Sequence, residues 1–231
     1  MNSAMREQDG TGAVPWASVA RSFSGFCFVG APVLFAGYGL LRIVDGMADG
    51  HGPGFWWTAS HSLFLASLLL FGVVLVGLCR RVSGRWMRRT AVVVTIAAGA
   101  GLVATIRTTV IDLIVGFTAT SRADMSKLFD AFGSALIPVP EIVSDLAPAM
   151  CFAGITTLLL FLALPRSGVA PWWAPLLSLG TALGQTSPWL APVGALTLLA
   201  ALLPVRERVQ PPWPASDGSE RRRRLAARSR G

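Results

Sequence analysis

"TAVVVTIAAGAGLVATIRTTVIDLIVG", residues 90–116, decides the fold, because only two charges, Arg107 and Asp112, interrupt an otherwise apolar run. A membrane helix needs about 20 apolar residues, at about 1.5 Å each, to cross a hydrocarbon layer of about 30 Å. This run meets that length, and the composition around it agrees. Of 231 residues, 53% are hydrophobic and 14% charged, with a mean hydropathy of +0.58, whereas a soluble domain carries roughly 25% charged residues. The expected fold is therefore an all-α, polytopic transmembrane helix bundle.

Six segments come near the required length: residues 23–44, 56–78, 90–110 with a helical continuation to 116, 142–164, 172–186 and 189–205. The last two are short. An alternative keeps four spans and folds them into a re-entrant hairpin broken at 185–188. The bundle at 23–205 is expected to be one domain. Its polar flanks, 1–22 and the Arg-rich 206–231, are expected to be disordered. No basic region leads into a short apolar core with a small-residue cleavage site, so the first segment is expected to stay.

Arginine placement orients the bundle. Arg80, Arg81, Arg85, Arg88 and Arg89 follow the second segment, and Arg206, Arg208, Arg221, Arg222, Arg223, Arg224, Arg228 and Arg230 follow the last. Both regions are expected on the cytoplasmic side, with both termini inside. The connections of opposite parity are poor in basic residues and acidic in total. Trp56, Trp57, Trp86, Trp172, Trp173 and Trp189 stand at segment ends, where indoles favour the headgroup layer. "CFVG" at 27–30 and "CFAG" at 151–154 suggest, weakly, two inverted three-span halves.

Depth governs the reading of Arg107. It lies about 25 Å from Thr90, near the edge of the hydrocarbon, and Asp112 lies beyond it. Five residues apart is about 140° around a helix, so the two need different neighbours. Arg42, His61, Glu141 and Asp145 fall at the same end of the expected bundle. Together the six form a candidate polar cluster, either a binding site or an interhelical lock, since ionisable groups at membrane depth face the bundle interior.

The connection between the third and fourth segments has a pattern of its own. Met125, Leu128, Phe129, Phe132 and Leu136 make one helical stripe. Ser121 and Asp124 form a capping-box start, and Pro138 a stop. An amphipathic helix on the outer leaflet or over the bundle mouth is expected.

Other chemistry finds little support. Haem ligation needs a second embedded imidazole, and only His61 lies within a segment, His51 being in a Gly-rich loop. Cys27, Cys79 and Cys151 have no paired spacing and read as apolar packing. HExxH, a phosphate-binding loop, a nucleophile elbow and a dinucleotide fingerprint are all absent from the sequence, so neither metal nor cofactor is expected.

The net charge of +8 resides mostly in two places. Arg80, Arg81, Arg85, Arg88 and Arg89, with the tail residues Arg221, Arg222, Arg223 and Arg224, are expected to contact anionic lipid headgroups. Without interleaved aromatics, nucleic acid is not the expected partner. Lys127 is the one lysine among 20 basic residues, which suggests bacterial coding. The chain thus reads as a multi-pass protein of a bacterial cytoplasmic membrane, a non-enzymatic accessory or regulatory subunit with a membrane-protein partner or a second copy of itself. A small-solute or cation transporter and a membrane enzyme using His61 are the alternatives.

Overall fold

The computed structural model describes residues 15–48, 52–135, 141–165 and 167–207, and every regular element among them is helical. The helices are α1 (Pro15–Ala48), α2 (Phe55–Arg81), α3 (Arg85–Thr118), α4 (Arg122–Ala135), α5 (Glu141–Ala163), α6 (Ala174–Ser178), α7 (Gly180–Thr186) and α8 (Ala191–Glu207), with a 3₁₀ turn at Pro188–Leu190. α1 begins eight residues ahead of the expected span and ends four beyond it. The flanks at 1–14 and 208–231 lie outside the described residues.

Four helices are long and apolar enough to cross a membrane: Phe23–Ala48, Phe55–Arg81, Arg85–Thr118 and Leu146–Ala163. At most 44% of the most apolar window of any of them is buried within the protein, so each keeps apolar residues that the other helices do not cover. Val93, Ile96, Val103 and Phe117 on α3 are more than half exposed. Helices apolar all round need lipid as their second solvent.

The expected fifth span is not one uninterrupted helix. α6 and α7 meet at Leu179, where a tight turn replaces the regular ladder: the Leu179 N–H reaches the carbonyls of Pro175 and Leu176, and the Ala182 N–H that of Leu179. After the extended Ser187 the chain turns back as α8. Glycines let the two arms of this hairpin close together. A Cβ on Gly194 would lie 2.9 Å from the Gly180 carbonyl oxygen, and one on Gly180 would strike Thr197. Small residues at such spacing are how membrane helices approach without a hydrophobic driving force. The "CFAG" helix, α5, is therefore followed by a broken helix where α2 is continuous, and the suggested internal repeat does not extend to its second member.

The helices form a closed ring in the order α8, α1, α2, α3, α5 and then α6 to α8 again, with α2 also touching α5. Phe35 stacks on Phe152 at 5.4 Å and Phe71 meets Phe152 edge-on at 5.5 Å, joining α1, α2 and α5. Ser67 donates a buried 2.8 Å hydrogen bond to the Ala31 carbonyl, fixing α2 against α1. Cys27 and Cys151 are buried in this core, and all three cysteines are free. The arginine-rich α2–α3 turn marks one end of the ring. The ends of α1 and α3 and the start of α2 mark the other, called here the far end.

Candidate functional site

Polar groups gather at the far end because three helices deliver them to one level. α1 remains helical through Asp45, placing it one turn after Arg42, and the two pair at 2.8 Å through Nη1 and Oδ2. Asp45 is 1% exposed. From α2, Trp57 and His61 face the same space, and from α3 comes Asp112.

Trp57 is the hub. Its Nε1–H donates to the Asp112 backbone carbonyl at 3.0 Å, its ring lies 4.7 Å beneath the Arg42 guanidinium, and its own carbonyl accepts from Ser60 Oγ at 2.8 Å. The same carbonyl lies 2.8 Å from His61 Nδ1. The indole sits against Gly116, where a Cβ would come within 2.5 Å of Trp57 Cδ1. The headgroup-anchor reading of Trp57 is thereby corrected: its ring packs inward among the helices. Trp86, Trp172 and Trp189 are strongly exposed at helix ends.

His61 is held between aromatic faces, with Trp57 at 4.4 Å and Tyr38 edge-on at 6.0 Å. A carbonyl only accepts, so Nδ1 carries the proton in the bond to Trp57. Nε2 then faces Asp112 Oδ2 at 3.6 Å. That contact is attractive when one of the two groups carries a further proton and repulsive between a bare lone pair and a carboxylate. His61 is 5% exposed, while the Asp112 side chain keeps 22%, so the site is reached from the Asp112 side.

α4 covers this end. Its start is capped by the Asp124 N–H donating to Ser121 Oγ at 3.2 Å, while the Asp124 carboxylate accepts from the Thr120 N–H and hydroxyl. Met125 is buried against Ile111 and Val115, with Trp57, Leu128, Phe129 and Phe132 around them. The amphipathic stripe thus lies on α3 and on the hub tryptophan. Leu136 and Pro138 lie outside the described residues.

Of the six candidate residues, the structure brings Arg42, His61 and Asp112 together. Arg107 is half-buried, with its Nε enclosed and without a hydrogen bond. The α3–α5 register, with Gly101 against Ala147 and Cys151, carries Arg107 to the level of residues 141–145. The side chains of Glu141 and Asp145 lie outside the described set. Asp45, Trp57 and Tyr38 join the cluster beyond the six expected residues; the i, i+3 spacing of Arg42 and Asp45 is visible in the sequence, while the inward faces of Trp57 and Tyr38 are not. At the other end, Arg80, Arg81, Arg85, Arg88 and Arg89 surround one cleft, while residues 221–224 are not described. Compared with known proteins, the chain matches no family model, no curated protein and no solved structure.

Proposed function

We propose that this chain is a non-enzymatic accessory or regulatory subunit of a bacterial cytoplasmic membrane, whose far-end cluster locks three helices in one arrangement. The observation that carries this reading is the hub: Trp57 engages Arg42 from α1 through its ring face and Asp112 from α3 through its Nε1–H, while its carbonyl holds His61 on its own helix. A ligand site leaves its polar groups directed at an open space. Here most of them are directed at each other.

Both ends inside and six crossings complete the proposal. Ala191 and Pro192 at the start of α8 pack on Gly39, so the returning arm of the hairpin begins about 14 Å short of the end of α1. A re-entrant hairpin is the competing arrangement.

A cation or small-solute site is the second reading, favoured by the solvent exposure of Asp112. Unfolding of the purified chain, followed while Na⁺, K⁺ or Mg²⁺ is titrated, separates the two. The lock predicts a midpoint indifferent to the cation and lowered in Asp112→Ala. A cation-dependent rise that Asp112→Ala abolishes overturns it in favour of binding.

A further inference from the structure

The α2–α3 turn encloses an open cleft of about 960 Å³ lined by Arg80, Arg81, Arg85, Arg88 and Arg89. Among the described residues, no acidic side chain lines it. Arg80, Arg85, Arg88 and Arg89 are exposed. Arg81 lies with its guanidinium 4.6 Å over the Phe28 ring and has its Nη1 buried without a hydrogen bond. Like charges crowded this way repel unless an anion lies among them. α3 opens on the same cleft with no side-chain cap at Gly84, and its helix dipole adds to the positive potential.

The second feature of the cleft is apolar. Val92 and Val93 line it and are 44% and 66% exposed, and Ile96, one turn further, is 67% exposed. Arg85, Arg88, Arg89, Val92 and Ile96 follow the i, i+3, i+4 spacing of one helix face. That face passes from charge to hydrocarbon within three turns. Trp86, 79% exposed, stands at the start of α3, with Arg89 over its ring at 5.7 Å.

We propose that this cleft is a binding site for an anionic glycerophospholipid, with the phosphate among Arg85, Arg88 and Arg89 and an acyl chain along Val92, Val93 and Ile96. Charge complementarity selects an anion, and the apolar continuation selects one that carries hydrocarbon. Arginine suits the role because its planar fork meets two phosphate oxygens at once.

The test uses the full chain in phosphatidylcholine nanodiscs, titrated with phosphatidylglycerol, with retained lipid counted by native mass spectrometry. One phosphatidylglycerol per chain is expected to persist against excess phosphatidylcholine and against inorganic phosphate. Replacing two contacts in R88Q/R89Q weakens retention roughly thirtyfold, while R206Q on α8 leaves it unchanged. V92N leaves every arginine and the charge in place and weakens retention by breaking the acyl track, which keeps the proposal testable if R88Q/R89Q fails to fold. Competition by inorganic phosphate equal to that of the lipid, an equal loss in R206Q, or undiminished retention in V92N would each overturn it.

Discussion

His61 on α2 presents Nε2 to Asp112 Oδ2 on α3 at 3.6 Å, while its Nδ1 is committed to the Trp57 carbonyl at 2.8 Å. The imidazole is therefore oriented by its own helix and aimed at its neighbour. An amide in place of the carboxylate donates an N–H to the free Nε2, whereas a methyl group donates nothing. Asp112→Asn is expected to unfold near the wild-type midpoint, and Asp112→Ala about 1–3 kcal/mol lower. A double-mutant cycle with His61→Ala measures the coupling, and additive effects of the two would dispose of the contact.

Trp57→Phe keeps a ring in place but removes the Nε1–H bond to Asp112 and weakens the face that Arg42 covers. The expected loss is about 1–2 kcal/mol, read from SDS-induced unfolding. Arg42→Gln in the Trp57→Phe background should add less than it does alone, because the two share one interaction. This follows from the 4.7 Å stacking.

Gly116 is required by proximity, since a Cβ there would lie 2.5 Å from Trp57 Cδ1 and 3.0 Å from its Nε1. Gly116→Ala is expected to cost about 1–3 kcal/mol by forcing the indole away. Trp57→Ala should remove most of that extra cost. Unfolding midpoints of the two singles and the double check it.

The docking of α4 rests on Met125, which is 5% exposed. Met125→Asp should release the helix from Ile111 and Val115 without unfolding the four long helices. Trypsin cleavage at Arg122 and Lys127 is the readout, expected to quicken at least tenfold for a loss of about 2 kcal/mol in docking. Unchanged cleavage would mean that α4 is held by other contacts.

The hairpin fold places Ser187 at the tip between α7 and α8. In six crossings, Ser187→Cys on a background with Cys27, Cys79 and Cys151 replaced reacts with an impermeant thiol reagent added outside intact cells. Protection of that cysteine, with reaction once the cells are opened, would instead support the re-entrant arrangement.

Helical class, the four long apolar runs and the amphipathic α4 were legible in the sequence. Apolar length and 3.6-residue periodicity are local properties, and a bilayer leaves the backbone few other ways to satisfy its hydrogen bonds. The gathering of Arg42, His61 and Asp112 at one level was legible too, because helix rise converts residue number into depth. What the sequence could not carry was rotation about each helix axis. Whether Trp57 faces headgroups or its neighbours depends on how α2 turns against α1 and α3. That angle is set by pairs distant in sequence: Ser67 with Ala31, Gly116 with Trp57, Phe35 with Phe152. The break at Leu179 and the glycine-to-glycine closure of α7 on α8 were hidden for the same reason. Composition and spacing determined that this chain is a bundle of apolar helices with charges near its ends. Only the packing of one helix on another decided which of those charges meet, since close approach depends on side-chain volumes facing each other across the chain.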